Sequence, residues 1–167
     1  MKSVGIFYGS TTGNTESAAK MIQKAFGSDA EIHDVSSAKA GDLEAYVHVI
    51  FGSSTWGIGD LQDDFDSFLG ELDKANLEGK QVAIFGCGDQ ASYGDSYVDA
   101  IGKIYAVLCN KGCEIVGKTS TDGYTHVASE AETGGQFVGL ALDEDNQGEL
   151  TKERITAWVE QLKNEFK

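Results

Sequence analysis

Short apolar runs alternate along the chain with longer segments in which apolar residues recur every three or four positions. The first pattern is typical of buried strands and the second of amphipathic helices. The predicted strands are residues 3–8, 30–35, 47–54, 81–88 and 113–118, with residues 137–142 as a second piece of the fifth strand. The predicted helices are residues 15–27, 42–46, 61–72, 96–112 and 151–166.

The first, third and fourth predicted strands are apolar at nearly every position. Strands of this kind are buried on both faces, as in a parallel sheet covered by helices. The sequence therefore predicts an α/β fold with a doubly wound parallel sheet, formed by one domain over residues 1–167. Residues 119–137 fit no regular element and are predicted to be an insertion near the fifth strand. Thr151 is predicted to be the N-cap of the last helix.

Acidic residues dominate the charge of the chain. There are 27 Asp and Glu against 13 Lys and Arg, which gives a net charge of −14. Residues 40–73, 81–102 and 119–151 contain no Lys or Arg at all. Such a surface is repelled by nucleic acid and anionic lipid and attracts basic partners, although acidity also serves solubility alone. We expect basic protein partners and no nucleic acid.

The cysteine content and the absence of long apolar stretches bear on location. The chain has three cysteines, lacks a signal-peptide pattern and contains no apolar run of about 20 residues, the length that spans a bilayer. Disulfides are rare in reducing compartments, and an odd number of cysteines does not indicate a disulfide framework. We therefore expect a soluble cytoplasmic protein that does not bind membranes.

Three glycine-containing loops follow the first, third and fourth strands, at residues 9–15, 52–61 and 86–95. In an open parallel sheet, ligands bind at the carboxyl ends of the strands. The first loop offers hydroxyls, backbone N–H groups and a helix N-terminus to a phosphate, but it has no Lys. That composition favours a phosphate monoester over a triphosphate, while a turn that only caps the helix is the alternative.

Aromatic residues occupy the other two loops. Trp56 and Tyr93 lie among small residues, where an aromatic ring either anchors the loop in the core or stacks on a flat ligand. Two such rings on neighbouring loops would sandwich a planar group. The string GCGDQA follows the fourth strand rather than the first, which argues against a dinucleotide fingerprint.

The remaining reactive side chains form no recognisable catalytic set. The three histidines are distant in sequence from any candidate nucleophile and are predicted to be structural or surface residues: His33, His48 and His126. Cys109 and Cys113 are one helical turn apart but have no nearby third and fourth ligands. We predict that they are small hydrophobic residues on a buried face, and we predict no metal site.

Four segments in order give the chain a resemblance to the flavodoxins. GSTTGNT resembles their FMN phosphate loop, STWGIGDLQDDF and GCGDQASYGD the two isoalloxazine loops, and FVGLALDEDNQ with LTKERITAWVEQL the C-terminal part. The insertion within the fifth strand resembles that of the long-chain subgroup. The resemblance implies a five-stranded parallel sheet in the order 2-1-3-4-5, helices on both faces and one noncovalently bound FMN.

The resemblance also assigns residues to the cofactor. It implies that the first loop wraps the phosphate, that Trp56 and Tyr93 flank the ring, and that Thr55 and Asp145 lie near the ribityl chain. The complete implied set is Ser10, Thr11, Thr12, Gly13, Asn14, Thr15, Ser54, Thr55, Trp56, Gly57, Ile58, Gly59, Cys87, Gly88, Asp89, Tyr93 and Asp145. Two positions depart from the family pattern, with Ser54 where proline is common and Asp60 where glutamate is common.

The function implied is that of a low-potential one-electron carrier, not an enzyme, cycling between semiquinone and hydroquinone. Its implied partners are basic redox proteins such as a flavodoxin/ferredoxin-NADP reductase or oxidoreductase acceptors, and it is expected to be a monomer. The alternatives are an FMN-dependent reductase of a small substrate such as a quinone, and a module that only stores flavin. No basic or histidine-lined pocket is predicted in the loops, which disfavours the reductase.

Overall fold

The computed structural model of the chain describes residues 3–167. Its strands are β1 (Val4–Gly9), β2 (Ala30–Asp34), β3 (His48–Trp56), β4 (Asp60–Leu61), β5 (Gln81–Cys87), β6 (Glu114–Ile115), β7 (Thr119–Ser120), β8 (Glu132–Thr133), β9 (Gln136–Phe137) and β10 (Leu140–Leu142). Its helices are α1 (Asn14–Phe26), α2 (Ala40–Glu44), α3 (Asp63–Lys74), α4 (Asp99–Leu108), α5 (Glu144–Gln147) and α6 (Thr151–Glu165).

The main sheet confirms the predicted fold class. Its five principal strands run in the order β2-β1-β3-β5-β10, and all four pairings are parallel. Strand β6 also pairs with β5 in parallel, two residues long, so β6 and β10 together form the predicted fifth strand. Counted in this way, the strand order is 2-1-3-4-5.

Helices bury both faces of the sheet because successive side chains of a strand point to opposite sides. On one face, Ile6 and Phe85 pack with Ile22 of α1 and Trp158 of α6. The opposite face forms a second core with α2, α3 and α4, whose members include Phe7, Phe51, Phe65, Leu72 and Ile104. The carboxyl ends of β1, β3 and β5 therefore meet at one edge between the two helical layers.

The insertion differs from its predicted lack of regular structure. Strands β7, β9 and β8 form a small antiparallel sheet with two residues in each strand. Strands of this length show no hydrophobic periodicity, which explains why the sequence pattern missed them.

Two helix starts also differ from the predictions. Helix α4 begins at Asp99 rather than Ser96, because the backbone of Val98 has a φ of 47° and is not right-handed helical. Thr151 is the first residue of α6, preceded by a 3₁₀ turn over Gly148–Leu150, so Leu150 occupies the N-cap position. The prediction of Thr151 as N-cap is therefore wrong.

Candidate flavin site

A cleft opens at the carboxyl ends of β1, β3 and β5. The predicted residues that line it are Thr12, Asn14, Ser54, Thr55, Trp56, Gly57, Cys87, Gly88, Asp89, Tyr93 and Asp145. The other predicted residues lie outside this lining: Ser10, Thr11, Gly13, Thr15, Ile58 and Gly59. The fold thus brings the ends of β3 and β5, the loops that follow β1, β3 and β5, and the first turn of α5 to one place.

The loop between β1 and α1 forms one end of the cleft. Gly13 has a φ of 97°, a left-handed conformation that glycine adopts without steric cost, and its N–H donates to Ser10 Oγ at 3.2 Å. No side chain caps α1, so its first N–H groups point toward the loop without a side-chain acceptor. The Thr15 hydroxyl is buried and lies beside the Cys87 thiol, with which it interacts. This end suits an anion that accepts several hydrogen bonds.

Gln62 fixes the first loop from the side of α3. Its side-chain amide donates to Thr11 Oγ1 at 3.0 Å, and its carbonyl oxygen accepts the N–H of Phe65 at 3.0 Å. Gln62 is 1% exposed. One buried side chain therefore caps α3 and holds Thr11 against the rest of the site.

The end of β3, just before its turn to β4, places an indole at the mouth of the cleft. Trp56 is 40% exposed, and its ring N–H donates to Ser54 Oγ at 3.0 Å. Gly57 follows with a φ of 54° and turns the chain toward Asp60, which pairs with Trp56 across the short β3–β4 ladder. Ser54 thus orients the indole by a hydrogen bond.

The loop after β5 carries the second exposed aromatic ring. Tyr93 is 49% exposed, and its N–H donates to the Asp89 carbonyl at 2.9 Å. The Asp89 carboxylate accepts the N–H of Ser92 at 2.9 Å and the side-chain amide of Asn146 at 2.8 Å. These two bonds lower the pKa of Asp89, so the carboxylate stays charged and braces the loop.

The floor and remaining wall of the cleft carry a thiol and carboxylates. Cys87 is 5% exposed, and burial raises the pKa of its thiol to about 12, so the thiol is protonated and a poor nucleophile at neutral pH. Behind this lining, Asp143 is completely buried and accepts the N–H groups of Gln90 at 3.1 Å and Asn146 at 3.0 Å. Partial burial, and then the carboxylate of Asp89, raises the pKa of Asp145.

Comparison with known proteins identifies the family of this fold and cleft. The flavodoxin family model matches residues 6–158. The chain belongs to the flavodoxin family. The flavodoxin of Nostoc sp. PCC 7120 is 50% identical over 166 residues, covering 99% of this chain and 98% of its own. Flavodoxin 1 of Escherichia coli K12 is 47% identical over 168 residues, covering 99% and 96%.

A solved flavodoxin has nearly the same backbone. The Fusobacterium nucleatum flavodoxin bound to flavin mononucleotide aligns with a TM-score of 0.94 and 33% identity, covering 100% of both chains. The interruption of the fifth strand by residues 119–137 agrees with the predicted long-chain type of flavodoxin.

The cleft has four lining residues that sequence reasoning missed: Ser96, Tyr97, Val98 and Glu144. The sequence pattern predicts a helix for the first three because their apolar spacing continues that of α4. Gly94 and Asp95, which precede them, and Ser96 itself are turn-forming residues and are the signal that favours a loop. Glu144 directly precedes the predicted Asp145, and its residue type alone does not set it apart from the other acidic residues nearby.

Among the described residues, none of the histidines and neither Cys109 nor Cys113 lines the cleft. His33 shares a hydrogen bond with the Tyr46 hydroxyl, His48 stacks on Phe166 at 4.2 Å, and His126 bonds to Glu132. All three contact other side chains of the fold, and their assignment as structural or surface residues stays a prediction. Cys113 packs partly buried against the core, whereas Cys109 is exposed, so the prediction of a buried face is wrong for Cys109.

Neither a metal centre nor a membrane span is found in the described part of the chain. Within residues 3–167, no three His, Cys, Asp or Glu side chains are grouped so as to hold a metal ion. None of the helices in the same range combines the length and apolar character that a membrane crossing requires.

Proposed function

We propose that the cleft binds one FMN noncovalently and that the protein carries single electrons between redox proteins. The observation that carries the proposal is the pair of half-exposed rings of Trp56 and Tyr93, set on two loops of a cleft whose far end suits a phosphate. FMN supplies the redox chemistry when bound, since its ring accepts electrons one at a time.

The first loop fits the phosphate end of FMN. A dianion there would accept hydrogen bonds from the first turn of α1, and the helix dipole favours negative charge at this end. Thr15 remains assigned to the phosphate loop, although its buried hydroxyl lies outside the cleft lining and beside the Cys87 thiol. Thr12 and Asn14 line the cleft beside it. The chain thus holds phosphate with dipoles instead of a cation.

The rest of the cleft fits the ribityl chain and the ring. Trp56 and Tyr93 would stack on the ring, Thr55 and Asp145 would lie along the ribityl side, and the backbone of Gly57, Gly88 and Asp89 would surround the ring edge. Ile58 and Gly59 remain assigned to the ring loop, and Ser10, Thr11 and Gly13 to the phosphate loop.

Carboxylates make the protein a strong reductant. Asp89, Glu144 and Asp145 line the cleft, and the lining within residues 3–167 includes no Lys, Arg or His. Negative charge around the ring disfavours the addition of further negative charge. The second electron therefore enters at low potential.

The same charges favour basic partners. The acidic residues of the cleft would steer basic redox proteins toward a bound ring and raise association rates about 10 to 1,000-fold at low salt. A reductase of a quinone needs cationic or histidine side chains that bind and protonate its substrate, and none of the described residues of those types lines this cleft.

We infer a monomeric carrier in a reducing cytoplasmic compartment, consistent with three free cysteines.

The proposal is tested by titrating the apoprotein with FMN and then reducing the complex stepwise without oxygen. We expect stoichiometric binding that quenches flavin fluorescence and two separate one-electron reductions, the second at the lower potential. Absence of FMN binding would refute the proposed site. A single two-electron reduction with rapid turnover of added quinones would instead establish the reductase.

A further inference from the structure

Val98 has an unusual backbone conformation for its residue type. Its φ of 47° and ψ of 32° are left-handed, and it is the non-glycine residue with positive φ in residues 3–167. A β-branched side chain makes this conformation costly, because Cβ approaches the neighbouring carbonyl. Val98 is also completely buried and lines the cleft together with Ser96 and Tyr97. The strain therefore lies in the cleft wall itself.

Two hydrogen bonds from the insertion bracket this residue. The Ser129 hydroxyl donates to the carbonyl of Tyr97, which precedes Val98. The N–H of Glu130 donates to Oδ1 of Asp99, which follows it, at 2.8 Å. Asp99 is 8% exposed, so the acceptor end of this bond is largely shielded from water. Strained backbone persists only when the surroundings fix it, and these bonds act on both sides of the strained residue.

The insertion is itself fixed where it makes these bonds. It packs so closely on α4 that a Cβ at Gly102 would lie 2.5 Å from the Glu130 carbonyl carbon. The N–H of Ala131 donates to Ser129 Oγ at 3.0 Å, and Lys103 Nζ lies 3.6 Å from the Glu130 carboxylate. Ser129 and Glu130 are thus held in one position against α4.

We propose that Ser129 is a positioning residue for flavin binding, holding Val98 in its strained conformation and so setting the shape of the cleft wall. Glu130 acts on the other side of Val98 through its backbone N–H. We call these two hydrogen bonds, from Ser129 to Tyr97 and from Glu130 to Asp99, the clamp. The inference rests on the proposed function, because it assumes that FMN occupies the cleft. It gives the insertion a role inside the molecule, in addition to any role on its surface.

The first test compares Ser129→Ala with wild type in FMN titrations of the apoprotein. We expect the dissociation constant to rise roughly tenfold, about the worth of one hydrogen bond. The matched control is Ser120→Ala, which removes another hydroxyl of the insertion, one that accepts the Asp122 N–H at 3.0 Å within the insertion itself. The control should bind FMN as wild type does. An unchanged constant for Ser129→Ala would overturn the inference.

A second variant separates positioning from a general loss of structure. Val98→Gly adopts the left-handed conformation without the Cβ clash, so the clamp has no strain to resist. In that background, Ser129→Ala should change the FMN dissociation constant less than about twofold. An equal loss in both backgrounds would show that Ser129 acts otherwise and would overturn the inference.

The same measurements keep the two proposals apart. Wild-type apoprotein that binds FMN while Ser129→Ala binds equally well leaves the proposed function standing and refutes the clamp. Wild-type apoprotein that does not bind FMN refutes both. Urea unfolding of each apoprotein provides a readout independent of the flavin, and we expect the Val98→Gly substitution to reduce the destabilisation caused by Ser129→Ala.

Discussion

At the scale of single residues, the hydroxyl of Tyr97 gives a prediction about stability. It is buried without a partner among residues 3–167, and burial raises the pKa of the group far above its usual range. Tyr97→Phe removes this hydroxyl but keeps the ring packed on Phe137 and His126. We expect the free energy of unfolding of the apoprotein to rise by about 1 kcal/mol, measured by urea denaturation.

Tyr124→Phe is the control for this prediction because the two rings are neighbours. The Tyr124 hydroxyl donates to the Ala141 carbonyl at 2.6 Å, so its removal leaves a buried acceptor unpaired. This variant should lose about 1 kcal/mol of stability. A loss of stability in Tyr97→Phe as well would mean that its hydroxyl has a protein partner in solution.

His48 predicts a pH dependence of stability. Burial, and then the charge of Lys80, lowers the pKa of His48, whose ring stacks on Phe166. The unfolded chain therefore takes up the proton first as the pH falls below about 6.5. Stability is fully present above that pH and declines below it, with a slope of at most about 1.4 kcal/mol per pH unit.

The measurement compares wild type with His48→Gln in urea denaturation between about pH 5 and pH 7.5, the range in which histidine titrates. Carboxylates contribute to both proteins, so only the difference between the two slopes reports on His48. The variant should show the shallower slope. Parallel slopes would mean that the ring titrates alike in the folded and unfolded chains.

Sequence alone identified the site residues that are recognisable by their residue type. It missed a residue whose role depends on its backbone conformation. Trp56 and Tyr93 stand out as aromatic residues in glycine-containing loops, and the first loop stands out by its hydroxyls. Val98 does not stand out, because its left-handed conformation is fixed by Ser129, about thirty positions further along the chain. No local pattern encodes a contact of that kind.

The same limit applies to whole elements. Long buried strands and amphipathic helices were predictable because each carries enough residues to show a period. The fifth strand is divided into two residues of β6 and three of β10, and its place depends on pairing with Val82 and Gly86 in β5. Pairing across the sheet, not local sequence, defines these short pieces.

Glycines in two helices give a prediction at the scale of elements. Alanine normally stabilises a helix interior by about 0.5–1 kcal/mol relative to glycine. A Cβ added at Gly70 in α3 would meet no described atom within 4 Å, so Gly70→Ala should gain that amount. Gly102→Ala in α4 should instead lose stability by about 1–3 kcal/mol, because its Cβ meets the backbone of Glu130 at 2.5 Å.

Thermal or urea unfolding of the two variant apoproteins checks whether the free energy of unfolding rises in Gly70→Ala and falls in Gly102→Ala. Because both substitutions have the same helix propensity, the difference between them isolates the packing of α4 on the insertion. A gain in Gly102→Ala would mean that the insertion moves away from α4 at little cost. In that case the clamp on Val98 would also be weaker than the contacts indicate.

At the scale of the whole molecule, the net charge of −14 opposes compactness and favours basic partners. Added salt screens both effects. The stability of the protein should therefore rise with salt, while the rate of electron transfer to a basic redox protein should fall. Urea denaturation and stopped-flow reduction of a basic acceptor, each at low and moderate salt, measure the two responses.

Two triple variants test whether the salt dependence of electron transfer comes from the carboxylates at the cleft or from the total charge. Asp60→Asn, Glu144→Gln and Asp145→Asn together neutralise three exposed carboxylates, two that line the cleft and one, Asp60, that pairs with Trp56 beside it. Asp29→Asn, Asp73→Asn and Glu78→Gln neutralise three exposed carboxylates near the amino ends of the strands, at the opposite edge of the sheet. Because the change in net charge is the same, both triple variants should gain similar stability at low salt.

Only the first triple variant should lose most of the salt dependence of electron transfer, since steering depends on the field near the reacting edge. Equal losses in the two variants would mean that partners respond to the total charge, and that the carboxylates near Trp56 and Tyr93 do not guide them.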